Sequence, residues 1–323
     1  MDNLMRVFMG IVTGAKDSIW GILSIRDMNK EKETKPVNQL VTTTLSRRRK
    51  QESNRIPEIK SEETKISIRI FQCCLLNGGI FWASIALFSY LVLPGLHKLM
   101  NFVFSHSPSM AAFVWSWLRP ILSCVFDALW VLPLFLLSRI INSLWFQDIA
   151  NTAYRHVRGR PQYVGGFSKT WADNLFSFLI QVLFLMQSYL VRLLPVYILG
   201  QVAGIVHLCM LYSFYAFEYK WINMGWELHR RLAFIEMNWP YFIGFGLPLA
   251  VLTSLSSSFI TSGIIFAIFF PLFIISGNEA VPMTGMCEYR LRLFSPVVYL
   301  SNAFFHRTIN LDRQKLAARK LHS

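Results

Sequence analysis

The chain reads as an all-α, polytopic membrane protein. The reading is a helical bundle with about six membrane segments, the last two crossing or forming a re-entrant hairpin, plus an N-terminal interfacial amphipathic helix. Three observations predict this. Apolar runs recur at 70–93, 121–146, 175–194, 196–217 and 241–276, and about 20 apolar residues suffice to cross a hydrocarbon core. Basic residues concentrate on alternate connections between those runs. Only 15% of the residues are charged while 54% are hydrophobic, where soluble domains carry about 25% charge.

The first element is an amphipathic helix within 1–26. Leu4, Phe8, Ile11, Val12, Ala15, Ile19, Ile22 and Leu23 recur at three- and four-residue steps, with Arg6, Lys16 and Asp17 elsewhere on the wheel. That pattern suits a helix lying in the membrane interface, with Trp20 as its anchor. Residues 27–65 follow as a disordered, basic cytosolic linker, charged and poor in large apolar groups. Its Arg47–Lys50 run suits a juxtamembrane electrostatic role. The helical membrane domain spans 66–308, and a basic cytosolic tail closes the chain at 309–323. The first 25 residues lack the apolar core and cleavage site of a signal peptide.

Charge sets the expected orientation. Residues 1–69 hold 14 Lys and Arg, whereas the connection 94–120 holds only Lys98 and Arg119. The connection 147–174 holds four, 218–240 holds three, and the chain beyond 276 holds seven. Twenty-eight of the 32 basic residues thus fall on one side, and the positive-inside rule places both termini in the cytosol. The run 241–276 is too long for one crossing. Its hydroxyl-rich centre (Thr253, Ser254, Ser256, Ser257, Ser258, Thr261, Ser262) favours a hairpin or a pair of short helices, although hydroxyls back-bonding along a kinked pair of crossings would also accommodate it.

Several polar residues stand out inside the membrane segments. Asp127 and Arg139 share one span, twelve residues apart, too far for a pair on one helix. Each costs roughly 3 kcal/mol at mid-helix on the insertion scale. They mark either an ion path, or an Asp127 paired inside the bundle and an Arg139 snorkelling to the cytosolic edge. His207 reads as a hydrogen-bonded interior histidine, and Arg192 beside Pro195 as a snorkelling span end. The connection from Glu218 to Glu236 carries Glu218, Lys220, Trp221, Glu227, His229, Arg230, Arg231 and Glu236. Glu227 stands at helix-neighbour spacing from Arg230 and Arg231. A salt-bridged interfacial helix explains this segment better than acid–base or metal chemistry, because His229 and Glu236 are poorly spaced as ligands. Asn278 and Glu279, beyond the last span, are placed to cap a helix or pair with those arginines.

Other classes are disfavoured. The net charge of +14 is explained by the cytosolic loops, and no compact basic domain exists to bind nucleic acid. The five cysteines form no Cys-x-x-Cys pair, which disfavours a zinc site or disulfide framework. Cys73–Cys74 near a membrane entry suits packing, with palmitoylation the alternative. No phosphate loop, dinucleotide fingerprint or nucleophile elbow occurs, so no catalytic residue, metal or cofactor is expected. Gly244 and Gly246 suit close helix contact.

Long strings carry a resemblance. They include KDSIWGI from Lys16, RIFQCC from Arg69, Asn77-Gly-Gly79, ALWVLPLF from Ala128 and WFQDIA from Trp145. NWPY from Asn238, GFGLPLA from Gly244, FPLFIIS from Phe270, Asn278-Glu-Ala280 and LRLFS from Leu291 continue the series to about residue 308. On these the chain resembles the etoposide-induced family of endoplasmic reticulum membrane proteins, whose superfamily includes the bacterial sulfate permease CysZ. The resemblance implies a multi-pass protein of the endoplasmic reticulum membrane needed for autophagosome maturation and degradation of autophagic cargo, with links to growth suppression and apoptosis. It brings no catalytic residues. The expected partners are the endoplasmic reticulum bilayer and unidentified autophagy or membrane-fusion proteins. Trp20-Gly-Ile-Leu23 also fits an autophagy-adaptor pattern, though an interfacial anchor explains Trp20 better. A single chain and a homo-oligomer fit the sequence equally. The leading expectation is a non-enzymatic scaffold, and the alternative is an anion channel, transporter or lipid-handling protein.

Overall fold

The computed structural model describes residues 2–23, 66–159, 167–256 and 258–303. The expectations for the linker 27–65 and the tail 309–323 lie outside the described residues. Among the described residues the chain is helical and contains no strand. The helices are α1 (Asp2–Trp20), α2 (Ile66–Val103), α3 (Pro108–Arg158), α4 (Phe167–Arg192), α5 (Tyr197–Asn223), α6 (Leu228–Met237), α7 (Trp239–Ser254) and α8 (Phe259–Glu279). A last helical stretch, α9, covers 295–303. Five of these are long and apolar enough to cross a membrane, namely α2, α3, α4, α5 and α8. The run 241–276 splits at its hydroxyl-rich centre into the shorter α7 and the full-length α8.

With 38 and 51 residues, α2 and α3 measure about 57 and 76 Å at 1.5 Å per residue, well beyond a hydrocarbon core of about 30 Å. Both stay helical through π-helical stretches at Leu75–Trp82, Phe88–Val92 and Asp127–Val131. The last two follow from the sequence. Pro94 and Pro133 lack an N–H and crowd the carbonyls four residues back, at Tyr90 and Leu129, and a local widening of the helix absorbs the lost bond.

α7 lies at the centre, with Tyr241, Phe242, Phe245, Leu249 and Ala250 fully buried. Two glycines let neighbours approach it from opposite sides, because residues two apart on a helix point about 200° apart. A Cβ on Gly244 would lie 1.9 Å from the Ile11 carbonyl oxygen of α1, and one on Gly246 would lie 2.0 Å from the Cys209 carbonyl oxygen of α5. The backbones of α1 and α5 therefore occupy the space that side chains would fill. α1 answers with its own small residues: Gly10, Gly14, Ser18 and Gly21 form its buried edge. A Cβ on Gly14 would meet the Tyr241 oxygen at 2.0 Å. Tyr241 Oη donates to Asp17 Oδ2 at 2.7 Å, and Ser276 Oγ to the Ser18 oxygen at 2.7 Å. Leu4, Phe8, Val12, Ile19 and Trp20 point outward.

The basic connections gather at one pole. Arg69 at the start of α2 pairs with Asp148 of α3 at 3.1 Å, and Asn223 at the end of α5 donates to Asn151 at 3.1 Å. The chain after α8 returns to the same place: Leu291 N donates to the Glu236 oxygen, and Trp239 Nε1 to the Tyr289 oxygen. At the other pole the α7–α8 turn reaches the α4–α5 turn, where Arg192 Nη2 contacts Ser254 Oγ at 3.4 Å.

Candidate functional site

Two constellations hold most of the polar side chains that the sequence singles out. The first is a buried network at the basic pole. Glu218 and Lys220 sit two residues apart on α5 and so face opposite ways. Glu218 points to α4 and α6. It accepts from Ser177 and Gln181, a same-face pair on α4, and from Arg231 Nη1 at 3.2 Å. Arg231 also donates Nε and Nη2 to the Trp226 carbonyl at 2.9 and 2.6 Å. Burial pushes the Arg231 guanidinium down from its ordinary pKa, and the Glu218 carboxylate pulls it back up. Lys220 faces the other way, donating to the carbonyls of Gly277 and Ala280 at 3.1 and 2.6 Å. An ammonium there satisfies the end of α8 and complements its dipole.

Glu236, buried on α6, anchors the segment after α8. Arg290 Nε and Nη2 reach its Oε2 at 2.9 and 2.7 Å, and Phe294 N donates to its Oε1 at 2.9 Å. The remaining expected members lie around this core. Arg230 stacks 4.1 Å from the Trp226 ring centroid, and Glu227 and His229 approach at 3.5 Å on the exposed surface. Asn278 is fully buried and donates to its own helix at the Ile274 carbonyl. Glu279 is half-buried at the end of α8, an electrostatic neighbour of Lys220. Trp20 is exposed, with Lys16 Nζ 5.7 Å from its ring centroid.

The second constellation surrounds the α7–α8 turn. Arg139 lies against the N-terminal part of α8, its Nη2 3.5 Å from where a Cβ on Gly263 would sit, and its guanidinium carbon 4.9 Å from the Phe135 ring centroid. That position is away from the basic pole, so Arg139 does not reach for the cytosolic edge as snorkelling predicts. It lines a cavity of about 170 Å³ between α3, α4, α5 and α8, together with Gln181, Tyr189, Tyr212, Tyr215 and Ser262. Asp127 is exposed at the start of a π-helical stretch, and its side chain makes no hydrogen bond or ion pair among the described residues. His207 is buried, its Nδ1 donating to the Ala203 carbonyl at 2.7 Å and its Nε2 3.1 Å from Gln187 Nε2. With Nδ1 donating, Nε2 accepts from the amide, so the ring is the neutral tautomer.

Other members were hidden from sequence reasoning. Asn77 and Asn142, both buried, exchange two amide hydrogen bonds at 3.0 Å between α2 and α3. Their signal is an amide inside an apolar run, which demands a partner. Ser177, Gln181 and Arg290 carried no local signal, because their partners lie on other helices.

The family described as Sulfate transporter CysZ/Etoposide-induced protein 2.4 matches residues 62–257. The chain is 36% identical over 167 residues to Ectopic P granules protein 4 of Caenorhabditis elegans, covering 49% of this chain and 53% of that protein. It is 29% identical over 246 residues to the Protein EI24 homolog of Arabidopsis thaliana, covering 68% of this chain and 76% of the relative. Against the Protein EI24 homolog of Dictyostelium discoideum it is 30% identical over 233 residues, covering 70% and 69%. No solved structure matches it significantly.

Proposed function

The chain belongs to the Sulfate transporter CysZ/Etoposide-induced protein 2.4 family, and from that premise we propose that it is a non-enzymatic membrane scaffold of the endoplasmic reticulum required for autophagy. It would act in autophagosome maturation and degradation of autophagic cargo, with both termini in the cytosol. Family membership carries this reading. The buried network supports it. The carboxylates of Glu218 and Glu236 are taken up by donors from other elements, so they brace a surface and leave it fixed. That surface joins α6, the segment after α8 and the base of α3, the pole richest in basic residues. It is where autophagy or membrane-fusion proteins would dock.

Deleting the gene and following a degradable autophagic cargo tests the reading. Cargo should accumulate with autophagosomes stalled before maturation, and the wild-type chain should restore turnover. Normal turnover without the protein would overturn it. One observation favours a second reading, an anion or lipid transporter: the membrane-level cavity lined by Arg139 in a family whose description includes a sulfate transporter. Sulfate flux into proteoliposomes that vanishes in Arg139→Gln would establish that alternative.

A further inference from the structure

We propose that the Arg139 cavity is a phospholipid site, in which the guanidinium holds the lipid phosphate and the apolar wall of α4 and α5 receives an acyl chain. The inference stands apart from the scaffold reading, rests on the cavity of the second reading and names its ligand, and begins with charge. The exposed Arg139 side chain meets the Phe135 ring but makes no hydrogen bond or ion pair among the described residues, although it sits in a helix that reads as crossing the membrane. Its Nη2 approaches α8 beside Gly263, in the N-terminal part of that helix, toward the end where the dipole is positive. Cation thus faces positive pole. Arg192 adds a third positive feature at the same tip. Its Nε is buried without a partner, and the guanidinium otherwise meets Ser254 Oγ and the Tyr189 ring. A site so arranged lacks an anion.

The walls say how the anion arrives. Tyr189, Tyr212 and Ser262 line the cavity with Arg139, the Tyr212 and Ser262 hydroxyls being bonded to Thr253, while Phe178, Val182 and Leu185 continue it along α4 as an apolar surface. Phe178, Tyr189 and Phe259 are exposed, so the cavity opens sideways between α4 and α8, toward the bilayer. A hydrated inorganic anion gains nothing from that apolar wall, whereas an acyl chain does. The shared chemistry is a tetrahedral phosphate oxyanion. The lateral opening and the apolar wall assign it to a lipid and disfavour a free ion.

The test uses the full chain, purified in mild detergent, delipidated and titrated with phosphatidic acid or phosphatidylcholine carrying a photoreactive acyl chain. Native mass spectrometry counts bound lipid and peptide mapping locates the label. The expected result is one lipid per chain, with label on 178–185 and 259–266. Arg139→Gln should weaken binding about tenfold or more, the loss of a charge-assisted hydrogen bond, and Arg139→Lys should weaken it less. Gly263→Leu, which fills the space beside the guanidinium from α8 and keeps the charge, should also expel the lipid. Helicity and melting temperature measured without lipid report whether each variant folds. If Arg139→Gln does not fold, the wild-type label map and Gly263→Leu decide. Label elsewhere, or binding unchanged in both variants, would overturn the site. Displacement of the lipid by excess sodium sulfate or inorganic phosphate would overturn the lipid assignment in favour of a free oxyanion.

Discussion

Glu218 and Arg231 are thirteen residues apart, on different helices, with side chains only 7% and 4% exposed. Removing one partner leaves the other charged and buried, which costs about 3–5 kcal/mol. Glu218→Ala and Arg231→Ala should each lower the melting temperature of detergent-purified protein markedly. Glu218→Met combined with Arg231→Met should recover much of the loss, since replacing a buried pair by apolar groups is often neutral. A double variant no better than the singles would refute this account. The same logic at smaller scale applies to Asn77 and Asn142. Either one changed to Leu should cost about 1 kcal/mol, and the double variant less than the sum. Sequence spacing suggested Glu227 for the arginines because spacing sees only neighbours on one helix. The partner that Arg231 takes inside the protein is set by how α5 and α6 pack, which no local pattern encodes. His207 was legible because an imidazole in an apolar run must find hydrogen bonds wherever it points.

α1 shows how an element can be legible while its docking face is not. Its periodicity announces a helix, and of the apolar side chains that define the period Leu4, Phe8, Val12, Ile19 and Leu23 point outward. The face it buries consists of Gly10, Gly14, Ser18 and Gly21, which contribute almost nothing to a hydropathy pattern. Close backbone approach is what small residues provide between membrane helices. Gly14→Leu should therefore lift α1 from α7, because the added side chain would start 2.0 Å from the Tyr241 carbonyl oxygen. Hydrogen exchange over residues 2–23 should become fast in that variant and stay slow in Val12→Leu, on the outer face. Equal protection in both would show that α1 is held by something other than this seam. The division of 241–276 was readable for the opposite reason: a cluster of serines and threonines weakens an apolar run enough to mark its turn.

At the scale of the molecule, the alternation of basic and non-basic connections becomes a geometry with two poles. The start of α2, the end of α3, α6 and the segment after α8 meet at one pole through Arg69–Asp148, Asn223–Asn151 and Glu236–Arg290. The α4–α5 and α7–α8 turns meet at the other. If the positive-inside rule governs insertion, all members of a pole share one side of the membrane. Single cysteines introduced on a background with the five native cysteines replaced report this directly, using a membrane-impermeant maleimide on sealed microsomes. Arg158→Cys, at the end of α3, should react at once. His106→Cys, between α2 and α3, should react only after the membrane is opened. Ser256→Cys, in the α7–α8 turn, separates two pictures of that helix pair. It should behave like His106→Cys, because Ser254 reaches Arg192 beside the α4–α5 turn and α7 and α8 run as deep as the pair they pack against. Labelling of Ser256→Cys together with Arg158→Cys would mean that the turn opens to the basic side and that the contact with Arg192 breaks in the membrane. Reversal of Arg158→Cys and His106→Cys would keep the two poles and exchange their sides, placing both termini opposite to where their charge puts them.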